Sequence, residues 1–237
     1  MECIPIPLYF NAEVLPIPAN EYVAWLDVMG VQSAMSRSLK ITANFVFKLH
    51  MAALQASNTG VSLYPVMDGL YLSSSNQQTM LDFLRSVFSN IAEVFVDETE
   101  NLHRFIIRGA LAFGPVIHGA AVPASISNAF GSTVGGQYKN AILLGMPMVQ
   151  SHLGEKNAPP FGLFVHESAR AFAPPTTMPL HHVWWRWVQP STGALWNAVP
   201  LALNDYFEWC RNRADSILYD RQRIDAHAEL ARQYFTT

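Results

Sequence analysis

The stretch Tyr22-Val23-Ala24-Trp25-Leu26-Asp27-Val28-Met29-Gly30 decides how this chain reads. Its counterpart is Val61-Ser62-Leu63-Tyr64-Pro65-Val66-Met67-Asp68-Gly69, followed at once by Leu70-Tyr71-Leu72. Each is an apolar run that ends on an aspartate, and a long helical segment separates the two. Aromatic and β-branched residues suit strands. Asp-Gly between two apolar runs is a strong short-range signal for a hairpin. By itself Asp68 reads as a turn residue, and Asp27 as an Asx-turn or helix cap. Together, at the ends of neighbouring strands, they form a hard-oxygen site that suits Mg²⁺ or Mn²⁺ and a nucleoside triphosphate.

Working outward, residues 21–29 form the first strand and Gly30 ends it. A helix follows, with Met35, Leu39, Val46, Leu49 and Ala53 on one face. The hairpin spans 61–67 and 70–73, turned at Asp68-Gly69. Ser75-Asn76-Gln77-Gln78 reads as a capping box. It opens a helix whose face carries Leu81, Leu84, Phe88, Ile91 and Phe95. Residues 103–113 form a strand that Gly114-Pro115 breaks, with 116–122 continuing the sheet. Residues 124–139 read as a loop, and a third helix starts near Gly145-Met146-Pro147, where proline suits a first turn.

Strands at 161–166 and 183–188, a short helix at Glu167–Arg170, and helices at 199–219 and 222–235 complete the chain. This order predicts an α/β sandwich, α+β in character. Its sheet is mixed or antiparallel, ferredoxin-like and flanked by helices, rather than doubly wound and parallel. Three segments are expected: an N-terminal arm over 1–20, the main domain over 21–190, and a C-terminal helical appendage over 191–237.

Composition narrows the function. Of 237 residues, 50% are hydrophobic and 14% charged, so a large core is available. A net charge of −3 argues against a nucleic-acid partner but leaves room for a local basic patch. Two cysteines, Cys3 and Cys210, make neither a disulfide framework nor a thiolate zinc cluster. The N-terminus lacks the pattern of a signal peptide. No apolar stretch reaches the roughly 18–20 residues of a membrane span. The expectation is a cytoplasmic protein that does not meet a membrane.

In their order and spacing, Leu26-Asp27-Val28-Met29-Gly30, the Asp68 hairpin, Ile106-Ile107-Arg108-Gly109-Ala110 and Gly145 at a helix start resemble the catalytic domain of class III nucleotidyl cyclases. The likeness runs over about residues 20–170. Within that class, Ala141–Glu155 and the run from Ala158 to Ser168 are most similar to the pyrimidine cyclases of the Pycsar anti-phage systems.

The resemblance implies that Asp27 and Asp68, with the Val28 carbonyl, hold two Mg²⁺ or Mn²⁺ ions per site. It places the Met29 and Gly30 amides near the phosphates. It implies cyclisation of a pyrimidine triphosphate, UTP first and CTP second, by in-line attack of the ribose 3′-oxygen on the α-phosphorus. It also implies a homodimer with its sites at the interface, and a downstream effector that responds to the cyclic nucleotide.

Purine-specific members carry a base-reading lysine where this chain has Tyr64, whose hydroxyl can both donate to and accept from a pyrimidine edge. Where many members have a purine-reading aspartate, a ribose-orienting asparagine and a transition-state arginine, this chain has Ile142, Val149 and Leu153. Arg108 and Lys139 are the candidates to replace the missing charges. The alternative is a cyclase-like domain that binds a nucleotide without turning it over.

The loop Gly131-Ser132-Thr133-Val134-Gly135-Gly136 lacks P-loop spacing. Lys40, Lys48 and Lys156 read as solvated. His181 and His182, adjacent on a strand, point to opposite faces and make no metal pair. His152 and His166 read as packing or hydrogen-bonding residues. Trp184, Trp185 and Trp187 are expected to cover an edge or a dimer contact.

Overall fold

A computed structural model describes residues 12–56, 59–122, 133–171, 180, 182–188 and 193–236. The strands are β1 (Ala19–Val28), β2 (Ser62–Val66), β3 (Gly69–Ser74), β4 (Ile107–His118), β5 (Leu143–Gly145), β6 (Leu163–Val165) and β7 (Trp184–Trp185). The helices are α1 (Val31–Arg37), α2 (Leu39–Ala56), α3 (Gln77–Asp97), α4 (Thr133–Asn140), α5 (Met146–Gly154), α6 (Glu167–Ala171), α7 (Leu195–Ile217) and α8 (Arg221–Phe235).

The sheet runs β2-β3-β1-β4-β6-β7, with β5 paired to the far end of β4. Only the β4–β6 pairing is parallel. This is the mixed, mostly antiparallel sheet flanked by helices that the element order predicts.

Alternation along β1 divides the molecule into two layers. Tyr22, Ala24, Leu26 and Val28 face the main core, built with Leu49 of α2, Leu84 and Phe88 of α3, and Phe207 of α7. Val23 and Trp25 face the other way, into a smaller cluster with Tyr64, Tyr71, Val116 and Leu143. Asp27 follows Val23 and Trp25 in the alternation and so belongs to this second face. Helix α5 lies over it: Pro147 packs against Gly114, and His152 meets the Trp25 ring edge-on at 5.3 Å.

Several boundaries depart from the expected ones. Ser38 is extended, at φ −157° and ψ 108°, and splits the first helix in two. Met35 and Leu39, on either side of the break, are exposed, whereas the expected Leu49 and Ala53 lie on the buried face of α2 with Thr42, Phe45 and Ala52. The hairpin turns at Met67-Asp68, with Met67 left-handed at φ 54°, and Gly69 is already in β3.

The α3 cap is Asn76, whose Oδ1 accepts from the Thr79 amide at 2.9 Å. β4 runs on through Gly114-Pro115 as one strand, and residues 133–140 are helical rather than part of a loop. Trp184 and Trp185 are half-buried on the edge strand β7. Trp187, in contrast, is a core residue stacked on Phe88, and its indole N–H donates to the Phe161 carbonyl at 2.7 Å.

The C-terminal helices add Val199, Leu203, Phe207, Ile224 and Tyr234 to the same core as the sheet. No helix among the described residues is long and apolar enough to cross a membrane.

Candidate functional site

Asp27 occupies the penultimate position of β1, directly opposite Arg108 on β4. Asp68 occupies the tip of the β2–β3 hairpin, and β3 lies beside β1. Close approach of these strands requires glycine at position 69. A Cβ there would sit 2.3 Å from the Trp25 ring and 2.7 Å from the Leu26 carbonyl oxygen. The fold thus brings both aspartates and Arg108 to one end of the sheet.

A third carboxylate joins them. Glu155 follows the last turn of α5, and its Oε1 accepts a hydrogen bond from the Arg108 Nε. The two side chains are 12% and 14% exposed, so the ion pair is largely withdrawn from water. Burial first, then the Glu155 and Asp68 carboxylates, push the Asp27 carboxyl up to about 7; Arg108 and the Val28 amide pull the other way. A carboxylate held so close to neutral ionisation is one that a cation would stabilise.

These residues fit a divalent ion of a particular kind. Among the described residues, no group of three or more Asp, Glu, His or Cys side chains is arranged to hold a metal by itself. Mg²⁺ commonly binds through one or two carboxylates plus substrate phosphates, keeping several waters. Asp27 and Asp68, with the Val28 carbonyl, suit that mode better than a cage made by the protein alone.

The other sequence candidates are dispersed. The Met29 amide donates to the Ile106 carbonyl at 2.8 Å, so this proposed phosphate donor already has an acceptor. Gly30 is left-handed at φ 77° with no neighbour crowding it. Backbone conformation, not space, favours glycine there. Lys139 is on α4, where its Nζ donates to the Val122 carbonyl at 3.4 Å, beyond the far end of β4 from Arg108.

The Tyr64 hydroxyl bonds to His118 Nδ1, and His118 Nε2 is 3.0 Å from Glu21 Oε1. Ser73 Oγ donates to the same carboxylate. Tyr64 therefore belongs to a polar chain across β2, β4, β1 and β3, and the Ser62 side chain bonds its hydroxyl as well. Val149 and Leu153 are 49% and 58% exposed, so neither belongs to the core.

His166 bonds Ser168, and Lys48 lies 6.0 Å over the Phe105 ring. His181 and the segment 131–132 lie outside the described residues. Sequence reasoning missed the role of Glu155, because a glutamate after an apolar helix carries no local sign of a partner 47 residues away. His118 and Glu21 were missed for the same reason.

No protein-family model matches the sequence, and no curated protein matches it. Among solved structures, the chain is similar to the monomeric guanylyl cyclase domain of the RhoGC fusion protein from the aquatic fungus Blastocladiella emersonii. The TM-score is 0.48 at 16% identity, covering 65% of this chain and 84% of that one. A double mutant of that domain gives the same score and identity over 82% of its length. A bacterial light-regulated adenylyl cyclase matches at TM-score 0.45 and 16% identity, over 62% of this chain and 42% of the other.

Proposed function

We propose that this protein is a nucleotide cyclase of the class III type that acts on a pyrimidine nucleoside triphosphate. UTP is the first choice and CTP the second. One observation carries the reading: Asp27 and Asp68, far apart in sequence, meet at one sheet end beside Arg108. The motif order along the chain supports it.

Divalent ions bound there would lower the pKa of the ribose 3′-hydroxyl and neutralise phosphate charge. Asp27 and Asp68 supply the anionic ligands, and Arg108 supplies a fixed positive charge on the same side. The 3′-oxygen bonds to the α-phosphorus as its bond to the bridging oxygen breaks, and pyrophosphate leaves. The 3′-hydroxyl proton passes to solvent or to a basic group. Such catalysis rests on positioning and charge stabilisation.

Tyr64 is proposed as a base contact. Its hydroxyl already meets His118 and Ser62, so a pyrimidine edge would bind there by sharing or displacing one of these partners. The proposed active form is a homodimer. Leu144, Met146, Val149 and Leu153 are exposed on the β5–α5 side and offer an apolar surface to a second copy. The likeness to Pycsar enzymes supports an anti-phage signal read by a separate effector.

A second reading, nucleotide binding without turnover, is favoured by the apolar side chains at Val149 and Leu153. Incubating the pure protein with each of the four ribonucleoside triphosphates and Mg²⁺ or Mn²⁺ decides between them. The cyclase reading expects a cyclic pyrimidine monophosphate and pyrophosphate; no cyclic product from any of the four sinks it.

A further inference from the structure

Beside the aspartates, on the other side of Met29 and Gly30, lies a cleft of about 180 Å³. One wall is the start of α1 and the segment 101–108; the other is the turn between α7 and α8. That turn is fixed in place. Leu218 is left-handed at φ 53°, and its carbonyl accepts from Ser33 Oγ of α1 at 3.0 Å. Asp220 caps α8 by accepting from the Arg223 amide at 3.0 Å.

The cleft is strongly basic for a chain of net charge −3. Arg37, Arg104, Arg108 and Arg223 line it, and Asp220 is the one lining carboxylate. Among the described residues, Arg37, Arg104 and Arg223 have no carboxylate within ion-pair distance. Arg104 is held by the Glu98 carbonyl and Asn101, and Arg37 Nε donates to the Ser33 carbonyl at 3.3 Å; Arg37 and Arg223 are exposed on opposite walls. Burial, then the charges of Arg108 and Arg223, hold the His227 imidazole down to about 4, so both guanidinium groups act on the same small region. Arg108 is paired with Glu155, and the other three guanidinium groups outnumber the one lining carboxylate, an excess suited to phosphate, which arginine binds through paired N–H donors.

Size limits what enters. Pockets that take a whole drug-sized ligand measure roughly 300–1,000 Å³. This cleft holds a fragment, such as two linked phosphates. We infer that it binds the terminal phosphates of the nucleoside triphosphate, with Arg37 and Arg223 clamping them across its mouth. The C-terminal helical hairpin is then part of the substrate site rather than an appendage to it. The inference rests on the nucleotide reading above for the identity of the ligand, and on the cleft itself for phosphate.

The test uses the full chain and two probes, inorganic tripolyphosphate and UTP, with uridine as the phosphate-free control. Calorimetric titration is expected to show tripolyphosphate binding that weakens roughly tenfold or more in both Arg223→Ala and Arg37→Ala. Arg232→Ala, which removes an exposed arginine outside the cleft, is expected to leave it unchanged. UTP is expected to follow tripolyphosphate, and uridine to be insensitive to Arg223. Circular dichroism confirms that each variant is folded, and Arg223→Lys is expected to recover part of the affinity.

Absence of tripolyphosphate binding, or binding unchanged in a folded Arg223→Ala, overturns the inference. Arginine-dependent tripolyphosphate binding without cyclic product from any triphosphate would remove the cyclase reading and keep the cleft. Cyclic product with the UTP KM unchanged in Arg223→Ala would do the reverse.

Discussion

Arg108 lies directly across the strand pair from Asp27, yet its side chain is hydrogen-bonded to Glu155. One guanidinium thus stands between two carboxylates, with Asp68 adding a third negative charge nearby. Replacing Glu155 by Gln removes the second-largest influence holding Asp27 up. The Asp27 pKa is expected to fall below its value of about 7, moving the acid limb of activity to lower pH. Carbon-detected NMR titration of the Asp27 carboxyl, with a pH–rate profile, reads both. A limb that does not move would separate Glu155 from the site.

The raised Asp27 pKa also makes a stability prediction. The folded carboxyl ionises near 7, against an ordinary value of 3.8, so the folded state holds its proton longer than the unfolded chain. Stability is therefore lost as pH rises from about 4 to about 7, and then levels off. Asp27→Asn removes this dependence. Its advantage over the natural chain is expected to be absent near pH 4 and to reach on the order of 3 kcal/mol by pH 8. Urea titrations at both pH values measure it.

Asp27→Ala and Asp68→Ala should each abolish product formation, by about a hundredfold or more, while the protein remains folded. Mn²⁺ with UTP should raise the Tm of the natural chain but not of these variants. Equal ligand-induced shifts in all three proteins would place the metal elsewhere.

Tyr64→Phe keeps the ring and removes the hydroxyl from the chain that runs through His118 and Glu21. A stability cost of about 1 kcal/mol is expected. The informative readout is kcat/KM for UTP against CTP and ATP. A base contact predicts a narrowed preference, and an unchanged ratio makes Tyr64 structural.

Gly69→Ala tests whether hairpin placement controls the site. The new methyl group would collide with Trp25 and the Leu26 carbonyl, so β3 must move away from β1. A loss of about 3 kcal/mol is expected. A folded Gly69→Ala protein should also bind Mn²⁺ more weakly, because Asp68 is displaced. Unaltered binding would free Asp68 from its assigned place.

Much of the fold was legible because its signals are local. The α3 face of Leu81, Leu84, Phe88, Ile91 and Phe95 is buried along its length. The strands carrying Asp27 and Asp68 form where their apolar runs predict. The first helix was read as continuous because Ser38 is an ordinary residue in sequence, yet it adopts an extended backbone; Met35 and Leu39 flank that break and are exposed, while Leu49 and Ala53 keep their expected buried face. Trp187 was assigned to an edge because a tryptophan run does not reveal which member turns inward.

The sequence by itself determined that Asp27 lies at the end of an apolar strand and Asp68 at a hairpin turn, since alternation, a hairpin and an intervening helix follow from short-range preferences. The tertiary structure alone decided their surroundings. It paired Arg108 with Glu155, joined Tyr64 to His118 and Glu21, and brought Arg223 of the last helix across from Arg37 of the first. Charges interact through space, and their energy depends on separation and burial rather than on sequence distance. The contacts that set the electrostatics of this site therefore appear only when strands, α5 and the C-terminal hairpin are packed together.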